Sequence, residues 1–302
     1  LSDVPDIIDT WNEGKVADVE GYYENAKINR VYVDRVHVKK AFAEYTAAYN
    51  SDDPKIKLKI DHTYRVAALC ERIAKATGMC AYDVELAWLS GMLHDVGRFE
   101  QIKRYNTFSD ADSVDHAKFG ADLLFKDGLI STFLKGMVKC TGYKPGALED
   151  RYDSDGVFLY DRLNKSDMEM LELAIRCHNM YRIPQGLNRR ERAFCNVLRD
   201  ADKVDIFKVN IDTPLEEIYN TTTEELMKSD ITDEVLKAFD EEHCILKAIR
   251  RTPADTVIGH VSLAYELVYD ESVRITVEQG YLAKLMHFHS DNEETNRKMA
   301  MV

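Results

Sequence analysis

The segment Ala87-Trp-Leu-Ser-Gly-Met-Leu-His-Asp-Val-Gly-Arg-Phe-Glu-Gln101 places a histidine and an aspartate, His94 and Asp95, at the end of an almost wholly apolar run. A charged group is rarely buried unless it is paired or binds a metal. Neutral imidazole and carboxylate are good ligands for zinc, iron or manganese, and hard oxygen ligands favour manganese or magnesium. The pair therefore has two interpretations: a metal site, or a helix that ends in a polar turn with Asp95 capping the next element.

The composition describes a large acidic globular chain. Its 302 residues are enough for one large domain or two small ones, and the 45% of hydrophobic residues can build a sizeable core. The net charge of -13 and the pI near 5.2 argue against a protein built to hold nucleic acid by phosphate attraction. We therefore expect no stable nucleic-acid binding, while a local basic pocket for a small phosphorylated substrate stays open.

The cysteines and the apolar runs indicate where the chain resides. No CxxC spacing occurs, and most of the cysteines lie in helix-like apolar patterns, which predicts free thiols in a reducing cytoplasm. The six are Cys70, Cys80, Cys140, Cys177, Cys195 and Cys244. No apolar run reaches the roughly 18 residues of a membrane span, and no signal peptide is visible. The sequence predicts a cytoplasmic protein without membrane contact, although it starts at Leu1 and a targeting segment could precede it.

Helical periodicity dominates the chain, and clear alternating strands are scarce. Val66, Leu69, Cys70 and Ile73, for example, recur at i, i+3, i+4 and i+7. The sequence predicts helices at 36–50, 62–77, 81–94, 115–126, 129–139, 166–181, 188–209, 231–250, 254–268 and 271–289.

Two segments are predicted to be loops. Residues 98–115 are rich in Tyr, Asn, Ser and Asp, which is typical of a lid or pocket loop. Residues 141–161 contain three glycines, a proline and several aspartates, and predict a long surface loop with a short hairpin.

Five predicted helices each carry a candidate metal ligand on the face expected to point inward. His62 lies four residues before Val66 and seven before Leu69, so it shares their apolar face. The candidates beyond the His94-Asp95 pair are His62, His116, His178 and Asp202. A lone histidine on an apolar face is commonly a satisfied core residue. Burying four imidazoles and two carboxylates without a common partner would cost several kcal/mol, however, and a metal cluster removes that cost.

The order of these residues resembles the HD-domain superfamily of metal-dependent phosphohydrolases, which is named after the doublet matched here by His94-Asp95. The family's spaced pattern of His, then His-Asp, then Asp falls on His62, His94, Asp95 and Asp202. The last ligand aligns with Asp202 because the family pattern there reads Ala-Asp-Lys/Arg-Leu. Asp200 and Asp205 remain alternatives within the same short segment.

Two further histidines resemble those of the binuclear branch of the family. His116, in Asp-His-Ala-Lys-Phe-Gly-Ala, and His178, in Ala-Ile-Arg-Cys-His-Asn, match the positions that hold a second metal there. The resemblance implies one metal on His62, His94, Asp95 and Asp202, and a second on His116, His178 and a bridging Asp95. Two cations about 3.5–4 Å apart clamp a bridging water and lower its pKa. The mixed ligands leave iron, manganese, zinc, nickel and cobalt open, with magnesium a candidate at a weaker site, and leave one or two ions open.

The resemblance also implies a fold. It covers about residues 58–210 and implies an all-α, HD-type helical bundle. We expect a single domain over 1–302, with N-terminal helices in 1–57 and C-terminal helices in 211–302 packed on that core. Helices rich in Tyr and Leu near 263–288 form an interface of a homodimer or simply pack on the bundle.

Asp95, Arg98 and Lys203 are the candidate catalytic residues. Gly97 permits a tight bend that would turn Arg98 toward the metals, where a guanidinium suits a phosphate; a surface salt bridge is the alternative. Lys203 follows Asp202 directly and would either neutralise phosphate or point to solvent.

Supporting roles are predicted for residues that neighbour the candidate ligands in the sequence. Arg65 is expected to lie on a solvated face, and Asp61 to cap a helix rather than hydrogen-bond a ligand imidazole. Asn179 is expected either to orient a ligand or to fix a helix end. The other histidines, His260 among them, are expected to be structural or exposed.

Three functions fit these residues. The first is a metal-dependent phosphohydrolase or phosphodiesterase that acts on a nucleotide, a cyclic nucleotide or a small phosphomonoester. The second is a di-iron oxygenase that cleaves a C–C or C–P bond, because some relatives with the same six-ligand order use oxygen in this way. The third is a regulatory module that senses a nucleotide. Hydrolysis is favoured as the commoner outcome of the family, and the nearby cationic residues favour a phosphorylated substrate.

Overall fold

The computed structural model describes residues 33–50, 52–134, 165–219 and 221–302. Every regular element in these ranges is helical and none is a strand, so the predicted all-α class is confirmed. No helix in the same ranges is both long and apolar enough to cross a membrane. The predicted loop at 141–161 with its hairpin, and Cys140, lie outside the described residues.

The first part of the chain forms the helices that carry the candidate ligands. They are α1 (Arg35–Thr46), α2 (Pro54–Ala76), α3 (Ala81–Leu93), α4 (Val96–Tyr105), α5 (His116–Ala121), a π-helical turn (Asp122–Lys126), α6 (Ile130–Leu134), α7 (Lys165–Cys177) and α8 (Arg189–Asp212). Local sequence explains where the two longest begin. Asp53 accepts a hydrogen bond from the backbone of Lys55 and precedes a proline at the first turn of α2. Asn188 and Glu191 form a capping box at the start of α8.

The C-terminal part consists of shorter helices. They are α9 (Leu215–Tyr219), α10 (Thr223–Lys228), α11 (Asp233–Asp240), a 3-10 turn (Lys247–Ile249), α12 (Pro253–Val261), a second 3-10 turn (Ser262–Glu266), α13 (Asp270–Gln279), α14 (Tyr281–Met286) and α15 (Glu293–Met299). The long helices predicted at 231–250 and 271–289 are therefore wrong in extent. Gly280, at φ 69°, has the left-handed conformation that ends α13 and separates it from α14.

The predicted loop at 98–115 is wrong over its first part, which is helix α4. Phe99 and Ile102 are buried on one face of this helix, and Asn106 ends it in the left-handed conformation at φ 53°. Polar residues that the composition assigned to a loop instead cover the exposed side of α4. The remainder, from Asn106 onward, connects α4 to α5.

Close helix contacts require glycine at two positions beside the His94-Asp95 pair. A Cβ at Gly91 would lie 2.6 Å from the Cα of Ala67, so α3 can approach α2 only without a side chain there. A Cβ at Gly97 would lie 2.5 Å from the carbonyl oxygen of His116, with Gly120 just beyond it. Gly97 thus permits contact between α4 and α5 rather than the tight bend predicted for it, and this contact brings His116 to the pair.

Two hydrophobic clusters lie along α8. Leu198 and Val204 belong to the larger one, which packs α1 to α8 together, whereas Phe207 belongs to a smaller one formed with the C-terminal helices. The helix that carries Asp202 therefore contacts both parts of the chain. The single-domain organisation over 1–302, with a core at about 58–210, stays a prediction.

Candidate metal centre

Four side chains from α2, the end of α3 and α8 converge on one point. The Nε2 atoms of His62 and His94 lie 3.3 Å apart. Asp202 Oδ1 lies 3.1 Å from the first and 3.8 Å from the second. Asp95 Oδ2 lies 3.6 Å from each of them. We call these four residues the first group.

A second group adjoins the first through the other oxygen of Asp95. His116 Nε2 lies 3.0 Å from His178 Nε2. Asp95 Oδ1 lies 3.4 Å from the former and 3.7 Å from the latter. Asp95 therefore turns one carboxylate oxygen toward each group, and its side chain is only 2% exposed.

Each of the four imidazoles is oriented through its other nitrogen. Every Nδ1 lies 2.6–2.7 Å from an oxygen that can only accept a hydrogen bond. For His62 and His116 this oxygen belongs to the carboxylate of Asp205 and of Asp110, respectively. For His94 and His178 it is the backbone carbonyl of Gly91 and of Ile175, respectively. Each Nδ1 must then carry the proton of the neutral ring, which leaves a lone pair on each Nε2.

This arrangement fits a bound cation. In each group two Nε2 atoms face each other beside carboxylate oxygens, 3.3 Å apart in the first group and 3.0 Å apart in the second. At these distances their lone pairs repel each other unless a positive charge lies between them. Asp95 Oδ1 is buried and accepts no hydrogen bond from the described residues. Metal–nitrogen bonds of about 2.0–2.1 Å at a tetrahedral angle place two ligand nitrogens about 3.3 Å apart, close to the separations observed.

Burial tunes the protonation of these rings. It lowers the pKa of His94 to about 4 and that of His116 to about 3, so both are neutral at neutral pH, as metal ligands must be. Burial and the charge of Lys59 act to lower the pKa of His62, but the carboxylates of Asp202 and Asp205 beside its two nitrogens outweigh them, so the pKa of His62 is raised.

Lys59 is a member of the site that sequence reasoning missed. Its ammonium group lies 2.7 Å from Asp95 Oδ2. Burial acts to raise the pKa of Asp95, but the charges of Lys59 and then of the neighbouring histidines and Arg98 hold that pKa well below its usual range. The spacing contained a signal, because Lys59 precedes His62 by three residues and so lies beside it on α2.

Arg98 lies inside the site. Its Nη1 donates hydrogen bonds to the side chains of Gln101 and Asp110 and to the carbonyl of Phe108, at 2.6–2.9 Å. Its Nε is buried without an acceptor among the described residues and lies 3.7 Å from Asp95 Oδ1. The side chain is 13% exposed, so the surface salt bridge considered from the sequence is wrong.

Lys203 does not join the metal-binding side chains. Its side chain is buried, and its ammonium group donates to the carbonyl of Glu266 at 3.3 Å. Burial, followed by the charge of Arg199, lowers its pKa to about 8. Consecutive residues of a helix point in different directions, which is why Lys203 and Asp202 face different neighbours. The solvent-exposed position considered for Lys203 is therefore wrong, and its neutralisation of a substrate phosphate stays a prediction.

The structure also separates the three aspartates near the end of the pattern. Asp202 alone faces the Nε2 atoms of the first group. Asp200 accepts hydrogen bonds from the backbone of Val268 and Tyr269, at 2.9 and 3.0 Å, and so anchors the start of α13 to α8.

Asp205 and Arg65 support the first group from outside. Asp205 holds His62 Nδ1 at 2.6 Å, and Arg65 binds both oxygens of Asp205, at 2.6 and 2.9 Å. The solvated position expected for Arg65 is therefore wrong. Asp61 is exposed within α2 and caps no helix, because the helix begins at Pro54.

Asp110 supports the second group in the same way, and no residue pattern in the sequence predicts this role. Its carboxylate holds His116 Nδ1 and Arg98 Nη1, although it lies in the irregular segment between α4 and α5. Asn179 donates to Asp110 at 3.3 Å and to Asp115 at 2.9 Å, so it ties the end of α7 to this segment. No helical spacing relates Asp110 to the histidine that it orients.

The comparison with known families agrees with this geometry. A family model described as HD domain matches residues 60–300, which include all six candidate ligands. The chain belongs to the HD domain family, a superfamily of metal-dependent hydrolases. No curated protein and no solved structure matches the chain.

Proposed function

We propose that this chain is a phosphohydrolase with a binuclear metal centre. The observation that carries the proposal is the position of Asp95, whose two oxygens face two separate groups of imidazole nitrogens. In a site for one ion, the second oxygen would have no such set of lone pairs beside it.

Six residues would hold the two ions. The first group offers two nitrogens and two oxygens, and the second offers two nitrogens and one oxygen. Four imidazoles favour iron, manganese, zinc, nickel or cobalt over magnesium, which prefers oxygen ligands. When bound, a pair of divalent cations supplies Lewis acidity, because it lowers the pKa of a shared water and offsets charge on a phosphoester.

The residues around Asp95 are suited to holding the phosphoester. Arg98 Nε is buried, lacks an acceptor among the described residues, and lies on the side of the second group. We infer that it donates to a phosphate oxygen, since charge-assisted hydrogen bonds from arginine to phosphate are strong and directional. Asp110 fixes the guanidinium through Nη1 and leaves Nε for the substrate. Lys59 supplies a second positive charge beside Asp95.

The proposed substrate is a small phosphorylated molecule, such as a nucleotide, a cyclic nucleotide or a phosphomonoester. The chain as a whole carries a charge of -13, so the attraction for phosphate is local to Lys59 and Arg98 rather than spread over the surface. A small ligand that enters the site benefits from this local charge, whereas a long polyanion meets the acidic surface.

The test is phosphate release from a panel of phosphoesters by the protein supplied with Mn²⁺. We expect hydrolysis of at least one class, lost in Asp95→Asn and retained in Asp127→Asn, which alters an exposed carboxylate. Turnover that requires oxygen and iron, without release of phosphate by hydrolysis, would favour the oxygenase instead. Nucleotide binding without any turnover would favour the sensing module.

A further inference from the structure

His178, one of the two imidazoles of the second group, lies just beyond the end of a helix. Helix α7 ends at Cys177, and the described residues 178–188 contain no regular element before α8 begins at Arg189. His94 also follows a helix end, but α4 begins only two residues later. The last carbonyls of a helix have no partner within it. The backbone around His178 must therefore be held by groups from outside α7.

Arg199, on α8, binds this stretch of backbone. Its side chain is only 7% exposed, and its guanidinium group faces four carbonyl oxygens around the end of α7. Nη1 donates to the carbonyl of Met180 and lies 3.4 and 3.5 Å from the carbonyls of Cys177 and His178. Nη2 donates to the carbonyl of Tyr181 at 3.4 Å. A cation at the end of a helix satisfies the free carbonyls and offsets the negative end of the helix dipole.

The guanidinium group of Arg199 serves these carbonyls rather than a carboxylate. The nearby Glu266 has its Oε2 atom 3.7 Å from Nη2, which is too far for a direct hydrogen bond. Arg199 also lies three residues before Asp202, and residues three apart on a helix are neighbours on its surface. The helix that supplies Asp202 to the first group therefore also holds the backbone of a ligand in the second.

The ring of His178 follows the position of that backbone. Its Nδ1 donates to the carbonyl of Ile175 in the last turn of α7, at 2.7 Å, and its Nε2 lies 3.0 Å from His116 Nε2. Metal ligands must lie within about 0.2 Å of their normal distances. A displacement of the chain around the end of α7 would therefore move a donor away from the second ion.

We propose that Arg199 is a positioning residue for the second ion, because it holds the backbone around His178 so that the Nε2 atoms of His178 and His116 face each other. The inference rests on the proposed function, since it requires a second ion. Arg199 acts through His178 and touches neither the ion nor the substrate. The first ion should be far less sensitive to it, because the described hydrogen bonds of Arg199 go to residues 177–181.

Calorimetric titration of Arg199→Met with Mn²⁺ tests the proposal. We expect the second ion to bind about 10- to 100-fold more weakly than in the wild type, as for other residues that orient metal ligands, and the first ion to bind equally well. At Mn²⁺ concentrations that fill both positions in the wild type, the variant should lose the electron paramagnetic resonance spectrum of a coupled pair. Arg199→Lys keeps the charge but donates from one point, so it should restore part of the affinity. It also provides the test if Arg199→Met does not fold.

The matched control is Arg190→Met. Arg190 lies on the same helix, is 31% exposed, and pairs with Asp83 on α3 and with Asp167 near the start of α7. Its loss should lower the free energy of unfolding but leave the ratio of the two Mn²⁺ affinities unchanged. The proposal is overturned if both ions weaken equally in the Arg199 variants, if neither weakens, or if Arg190→Met has the same effect.

The titration does not depend on turnover, so it separates this inference from the proposed reaction. Phosphate release by a wild-type protein whose second ion is indifferent to Arg199 would overturn the positioning role alone. Selective weakening of the second ion in the Arg199 variants, without phosphate release by the wild type, would support the positioning role and overturn the proposed hydrolysis alone.

Discussion

The two groups at the metal centre share Asp95 but differ in the number of donors. The first adds His62, His94 and Asp202 to one oxygen of Asp95, whereas the second adds only His116 and His178 to the other. Two of the imidazoles are held by carboxylates, His62 by Asp205 and His116 by Asp110. Because it offers more donors, the first group should bind its ion more tightly than the second, and Asp95 couples the two groups.

The largest effect is expected from Asp95→Ala, which takes a ligand from both groups at once. Activity should fall by about 10³-fold or more, the range seen when a main electrostatic stabiliser is removed. Metal content, measured after gel filtration, should fall at both positions. The fold should survive, because Asp95 is not part of the hydrophobic clusters that hold the helices together. Circular dichroism checks that the helices remain. Retained activity would refute the role of this carboxylate.

The next change separates the two groups. His178→Ala leaves the second group with one imidazole and one carboxylate oxygen, so metal analysis should give about one ion per chain where the wild type gives two. His62→Ala leaves three donors in the first group and should lower its affinity while keeping the stoichiometry. If the two variants bind equal amounts of metal, the predicted difference in metal affinity between the two groups is refuted.

A smaller effect is expected from the carboxylates that orient the rings. Asp205→Asn should weaken the first ion and Asp110→Asn the second, each by about 10- to 100-fold in affinity, as for other residues that orient metal-bound histidines. A calorimetric titration with Mn²⁺ measures the affinities of the two ions separately. An effect of Asp205→Asn on the weaker ion alone would contradict the assignment of groups.

The smallest effect on activity should come from replacing the two glycines at the contact between α4 and α5, Gly97 and Gly120. Gly97→Ala places a Cβ 2.5 Å from the carbonyl oxygen of His116, so α5 must shift, at a cost of about 1–3 kcal/mol in the free energy of unfolding. Gly120→Ala, whose Cβ would lie 3.0 Å from Gly97 N, should cost less. Denaturant unfolding measures both, and an equal or reversed order would contradict the packing described.

Sequence reasoning reached the inward-facing side chains because helical periodicity determines which side of a helix a residue occupies. His62 and Asp202 follow apolar stripes on α2 and α8, and the structure places both beside the His94-Asp95 pair. The family resemblance supplied the order of the ligands. The helical class followed from the same periodicity and is confirmed.

The residues that sequence reasoning missed depend on contacts between elements. Lys59 meets Asp95 in the turn between α3 and α4, and Asp110 lies in a segment without regular spacing. Asp205 was considered as a ligand, but its contact with His62 Nδ1 on another helix gives it a supporting role instead. Lys203 was misplaced because adjacency in sequence to Asp202 does not imply a shared direction on a helix.

The most direct test of the central claim, that Asp95 bridges two ions, is electron paramagnetic resonance of the protein loaded with Mn²⁺. We expect about two ions per chain with the spectrum of an exchange-coupled pair, replaced in Asp95→Ala by uncoupled ions or by loss of metal. One ion per chain in the wild type, or two ions without magnetic coupling, would contradict the account.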